Sequence, residues 1–393
     1  MLESVALLLI AGFTLGMVMK GLKLPPLLGM LFVGMLFGPY VLDWLHVDLL
    51  HISSDIRSFS LFVILIRAGL GIKRHEIKAV GSLAVKMSSL PGLFEGFSIL
   101  LVSYYFFDFS FAEAGMLGFI IAAVSPAVVV PSMLELKSDG YGEDKQIPTL
   151  LLAGTSIDDV FAITIFSFFL TLGTTGDVSL TASLLTIPLS IVFGVIFGLA
   201  IGYVFIKLFD FKHLFQSNVE RLLLLLTGII GFYAVGEHVG IASLLGIMAI
   251  GFLITDQRAK MGAVLANQLL YIWFFAQILL FSLVGAEVNI TVALNAGIMG
   301  IVIIFIGLVF RSLGVLLATL GSNLNRKERI FCVLSYFPKA TVQAAIGALP
   351  LASGVSKGPE ILAVAVLSIL LTAPMGAILI KWSAPKLLTK KES

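Results

Sequence analysis

Apolar residues in this chain continue for about the thickness of a bilayer, break briefly at polar or charged positions, and resume. A bilayer core takes about 20 apolar residues per helix, roughly 17 to 25. Runs of that kind cover 4–20, 24–42, 56–71, 80–107, 113–135, 148–174, 178–208, 220–238, 241–255, 264–286, 292–320, 328–352 and 359–382. The pattern predicts thirteen membrane-spanning helices, the division between 220–238 and 241–255 being the least distinct. Hydrophobic residues make up 59% of the 393 and charged residues 12%, at a mean hydropathy of +1.08. That leaves too little polar surface to wrap a soluble globule. Met1-Leu2-Glu3-Ser4 enters the first run without a basic segment or a small-residue cleavage site, so this run reads as a retained helix.

Charge placement supplies the orientation. With the N-terminus outside and the C-terminus inside, the inner segments hold Lys20 and Lys23; Lys73, Arg74 and Lys78; Lys137 and Lys145; Lys207, Lys212 and Arg221; Arg258 and Lys260; Arg326, Lys327 and Arg329; and Lys381, Lys386, Lys390 and Lys391. These are 19 of the 25 Lys and Arg residues, whereas the outer loops carry Lys357 alone beside Asp43, Asp48, Asp108, Asp177 and Glu287. Thirteen spans satisfy the positive-inside rule at every loop. A net charge of +2 with scattered basic residues offers no nucleic-acid surface. The single cysteine, Cys332, lies in an apolar run and reads as a small buried hydrophobe.

Five basic residues fall inside spans or at their margins: Arg57, Arg67, Lys86, Arg311 and Lys339. Arg57 and Arg67 lie near the two ends of a short span and Lys86 about a third of the way along a long one; their long stems reach an interface, and all three read as structural. The midpoints of four spans, by contrast, gather Glu95, Asp158 with Asp159, Arg311 and Lys339 at one depth. Charges at that depth are expensive unless they pair and line a watery site. Three acids against two bases leave one negative charge for a cation or proton to balance. Asp158 and Asp159 are consecutive, so on a helix they point about 100° apart, one toward a base and the other toward a cavity. Burial and mutual repulsion favour the neutral acid, and a neighbouring Lys339 or Arg311 favours the carboxylate. Proton and cation would compete for the same oxygens, with Thr155, Ser156 and Ser125 as further hard ligands.

Around the long seventh run lie six spans on each side, necessarily of opposite orientation, the inverted-repeat layout of many secondary transporters. The fifth span of each half is interrupted at mid-depth by proline: Val124-Ser125-Pro126-Ala127-Val128-Val129-Val130-Pro131 in the first and Phe337-Pro338-Lys339-Ala340-Thr341-Val342-Gln343 in the second. Proline removes a donor and frees carbonyls, which are tolerated at this depth only in a protein-lined or watery site. Lys339 then lies beside its own break, where it can offset the negative ends of half-helix dipoles. Gly194, Gly198 and Gly202 recur every four residues and suit close packing, within one protomer or against a partner.

Ile66-Arg67-Ala68-Gly69-Leu70-Gly71, Ala123 to Met133, Ile147-Pro148-Thr149-Leu150 leading to Ser156-Ile157-Asp158-Asp159, and Pro338-Lys339-Ala340-Thr341-Val342-Gln343-Ala344-Ala345 together resemble the cation/proton antiporter superfamily, specifically its NHA-type sodium/proton antiporters. The resemblance covers most of the chain. It implies a homodimer in which a mobile core moves like an elevator against a dimerisation scaffold, 56–174 and 264–382 contributing most of the core and 1–55 and 178–255 most of the scaffold. It implies two crossing broken helices, Asp159 as the principal cation and proton carboxylate, Asp158 as its assistant, and an Arg311–Glu95 pair. Many relatives have Thr-Asp-Pro where this chain has Val124-Ser125-Pro126, which removes one carboxylate, and Arg311 cannot titrate as a lysine does in others.

The expected activity is exchange of Na⁺ or Li⁺ for H⁺, without a cofactor, supporting pH homeostasis in a bacterial cytoplasmic membrane with lipid as surroundings. Potassium/proton exchange uses the same carboxylate and stays open. A sodium-coupled symporter of an organic anion would need anion donors and dedicated sodium sites; a channel would need a repeated filter. His46, His51, His75, His213 and His238 have no metal-ligand or nucleophile–base spacing, which argues against an enzyme, and no phosphate-binding glycine loop supports an ATP-driven pump.

Overall fold

The computed structural model describes residues 1–22, 24–174, 180–210 and 217–390; side chains of 76, 77, 156, 180–187, 237 and 290 fall outside that description. Lys23, Asp177, Lys212, His213, Lys391 and the Ser156 side chain therefore lie outside the described residues. The chain is all-helical: α1 Leu2–Gly21, α2 Leu27–Phe37, α3 Val47–His51, α4 Ser53–Leu70, α5 Arg74–Phe106, α6 Phe111–Ala122, α7 Pro126–Ser138, α8 Ile147–Thr174, α9 Leu180–Asp210, α10 Asn218–Val239, α11 Ser243–Gln257, α12 Ala259–Ala286, α13 Ile290–Asn295, α14 Gly297–Ala318, α15 Arg326–Ser335, α16 Thr341–Ile346, α17 Leu349–Ala352 and α18 Gly358–Leu387. Among the described residues the only β pairing is an isolated bridge between Tyr141 and Lys390.

Nine described helices are long and apolar enough to cross a membrane, and Leu27–Phe37, Ser243–Gln257 and Thr341–Ala352 are shorter apolar helices. Length and apolarity thus support nine crossings directly, and the count of thirteen stays an expectation. Charges explain part of the gap: α4 carries Asp55, Arg57 and Arg67, and α15 opens on Arg326-Lys327-Glu328-Arg329. The indistinct division near 240 is a real helix end, because Gly240 adopts the left-handed conformation (φ 72°, ψ 35°) and its N–H caps Gly236 O. That is glycine's usual way of stopping a helix.

Packing sorts the helices into two layers. In one, α5, α6, α8 and α14 pack on one another, with α7 against α8 and with α13, α15 and α17 against α18. In the other, α12 packs on α1, α2 and α4, and α11 packs on α4 and α9. Segments 56–71 and 264–286, expected with the core, pack mainly on each other and on α2 and α11. Glycine brings α4 close to α11: a Cβ at Gly69 would overlap the Met248 carbonyl, and one at Gly251 would meet Ile66 O at 2.6 Å. Gly194 and Gly198 serve the same purpose inside the protomer, where α9 crosses α11 at Ala242 and Gly246.

The isolated basic residues have structural surroundings. Arg57 pairs with Glu287 at 3.1 Å, Arg67 is half-buried at the last turn of α4, and Lys86 is exposed. Cys332 is buried.

Candidate ion-binding site

Two helices break where the sequence places proline. α6 ends at Ala122, Ala123 and Ser125 are extended (ψ 130° and 109°), and Pro126 opens α7 at its first position. A residue before proline is pushed out of the helical region, and proline at the first helical position loses no bond it would have made. In the second half α15 ends at Ser335 and the chain runs through Pro338 and Lys339 before α16 starts at Thr341. The breaks touch: Ser125 N–H donates to Pro338 O at 2.8 Å.

Backbone groups freed by the first break find partners in three side chains. Gln343 Nε2 donates to Ile120 O and Ala123 O, each at 2.9 Å. Arg311 Nη1 donates to Ala122 O. Val124 N–H donates to Asp158 Oδ2 at 2.9 Å. The carbonyl end of α6 is a negative half-dipole, and it meets an amide and a guanidinium. At the second break, Lys339 N–H donates to Thr372 Oγ1 of α18 at 2.9 Å.

Glu95, Asp158, Asp159, Arg311 and Lys339 are all buried and come together at this crossing. Arg311 is the hub: Nη1 donates to Glu95 Oε2, and Nη2 to Asp158 Oδ2 at 3.1 Å. Lys339 Nζ donates to the same Glu95 oxygen at 2.6 Å. Lys339 is thus engaged with Glu95, and Arg311 and Gln343, rather than Lys339, sit on the α6 carbonyls. Asp159 stands apart, with neither a base nor a hydrogen-bond donor bonded to it among the described residues, and its Oδ1 is buried. Glu95 Oε1, Asp158 Oδ1 and Ser125 Oγ are further buried oxygens with no partner among the described residues, whereas the Thr155 hydroxyl donates within its own helix to Leu151 O at 2.8 Å. Gln343 had no assigned role in the sequence reading, although an amide inside an apolar run must be satisfied, which was the available signal.

Residues 5–384 match the family model described as "Sodium/hydrogen exchanger, transmembrane". The chain belongs to the sodium/hydrogen exchanger family. Human sodium/hydrogen exchanger 9B2 is 36% identical over 391 residues, covering 94% of this chain and 71% of that protein. Human sodium/hydrogen exchanger 9B1 is 34% identical over 387 residues, covering 93% and 73%. The fold matches two structures of the sodium proton antiporter MjNhaP1 from Methanocaldococcus jannaschii, each at 18% identity: one at pH 8 with TM-score 0.78, covering 98% of both chains, and one from electron microscopy with TM-score 0.81, covering 100% of this chain and 98% of the other. Placement in the cation/proton antiporter superfamily, read above from four motif stretches, agrees with the family match, and the chain is an integral membrane protein.

Proposed function

We propose that this chain is a secondary antiporter exchanging Na⁺ (or Li⁺) for H⁺, with Asp159 as the carboxylate at which cation and proton compete. The observation that carries this is the distribution of partners around the buried charges. Arg311 and Lys339 engage one oxygen each of Glu95 and Asp158, whereas Asp159, also buried, has neither base nor donor bonded to it among the described residues. A desolvated carboxylate in that position needs a proton or a cation. Asp158 assists through its fixed negative charge, and Ser125 and Ser156 are the candidate additional oxygen ligands. Family membership, and relatives named sodium/hydrogen exchangers, support transport rather than enzymatic chemistry.

The two packed layers suit elevator-type alternating access, with α5 to α8 and α13 to α18 as the moving body and the other layer as a scaffold that pairs in a homodimer. The bilayer is read as a bacterial cytoplasmic membrane, N-terminus outside and C-terminus inside. Proteoliposomes holding a pH gradient and a trapped pH dye test the activity. Na⁺ or Li⁺ is expected to dissipate the gradient in wild type and not in Asp159→Asn. Dissipation by K⁺ alone would transfer the reading to potassium/proton exchange, and a fully active Asp159→Asn would remove the site.

A further inference from the structure

Tyr336 caps α15 and opens the second break. It is fully buried, and its hydroxyl has no hydrogen-bond partner among the described residues. Burying such a hydroxyl costs free energy that phenylalanine would not, so its presence asks for a physical reason. The Arg311 guanidinium lies 5.1 Å over its ring, and that guanidinium holds Glu95 and Asp158. The hydroxyl itself rests on Gly154 of α8, where an added Cβ would overlap it.

Gly154 and Asp158 are four residues apart on one face of α8, and helical side chains lean toward the N-terminus, so Asp158 leans toward the level of the hydroxyl. Asp158 Oδ2 is taken by Arg311 and Val124, while Oδ1 is buried and unpartnered. Two buried, unsatisfied oxygens therefore belong to side chains that meet on this stretch of α8, and both side chains also touch the Arg311 guanidinium. A water that accepts from the phenol and donates to the carboxylate would satisfy both oxygens.

We propose that Tyr336 is a positioning residue for exchange, its hydroxyl fixing the free oxygen of Asp158 through one bridging water. The phenol donates to the water, and the water donates to Asp158 Oδ1. Held by Arg311 on one oxygen and by water on the other, Asp158 keeps its charge fixed beside Asp159, where the cation binds. This rests on the reading of Asp159 as the exchanging carboxylate.

The test measures apparent KM and maximal rate for Na⁺ in proteoliposomes of wild type, Tyr336→Phe, Gly154→Ala and the double variant. Tyr336→Phe keeps the ring under Arg311 and removes only the hydroxyl; apparent KM is expected to rise about tenfold with the maximal rate within about twofold of wild type. Gly154→Ala alone is expected to lose folded yield. The double variant is expected to fold, because the remaining neighbours of the added Cβ, Met87 Cβ at 3.3 Å and Cζ at 3.6 Å, need to give by only a few tenths of an ångström, and to keep the raised KM. A wild-type KM in Tyr336→Phe or in the folded double variant would overturn the inference, as would a loss confined to maximal rate. Absence of Na⁺-dependent exchange in wild type would instead overturn the exchange reading, and this inference with it.

Discussion

Replacing Gln343 by leucine isolates the cost of the first helix break. The side chain is buried and close to leucine in volume, so the change leaves little cavity and removes mainly two donors, to Ile120 O and Ala123 O at 2.9 Å each. A buried carbonyl deprived of its partner costs about 1–3 kcal/mol, which gives about 2–6 kcal/mol for the pair. Both carbonyls belong to the negative end of α6, where the other side-chain donor, the charged Arg311, is already committed to Ala122 O, Glu95 and Asp158. Relaxation of the neighbouring chain sets the lower end of the range. At about 2 °C per kcal/mol the midpoint falls by roughly 4–12 °C. The assay is thermal melting of detergent-purified protein followed by size-exclusion recovery, with the ionic conditions held fixed because a bound cation shifts the midpoint. A fall of less than about 1 °C, on the same scale, would refute the assignment of Gln343 as the amide that satisfies the break.

Two further outcomes follow from the same geometry. Lys339→Met and Glu95→Gln, measured singly and together by denaturation of the purified protein, should be non-additive by about 1–3 kcal/mol, because each single change leaves part of a buried ion-pair network uncompensated; strict additivity would argue against their contact. Gly198→Leu should abolish folded yield by forcing α9 off the Gly246 backbone, whereas Gly231→Leu, with nothing within 4 Å of its Cβ position, should purify normally; gel-filtration profiles distinguish the two.

Much of the helix order was legible because a bilayer imposes one length on every run, and proline and Gly240 mark interruptions that backbone chemistry enforces. Layer membership was less legible. Spacing along the chain says that α4 and α12 are helices, but not that Gly69, sitting against Met248 O, draws α4 to α11. Gly194 and Gly198 likewise announced a close contact without naming its partner, which is α11 of the same protomer.

Within the site, depth was readable and partnership was not. Equal depth gathered three acids and two bases, but a sum of charges cannot say which acid is left over. The crossing shows which acids the two bases reach. Arg311 reaches Glu95 and Asp158 with one nitrogen each, and also the α6 carbonyl end, because Ala122 lies between them. Lys339 follows Pro338, whose carbonyl is pinned to Ser125 N–H, and from that fixed point its ammonium meets Glu95. Consecutive aspartates on α8 point about 100° apart, so the turn of helix that gives Asp158 to Arg311 directs Asp159 away from it. In the proposed reading the excess negative charge falls on Asp159, the one acid of the three bonded to neither base, and the crossing that fixes the other two is held by the hydrogen bonds of the two proline breaks.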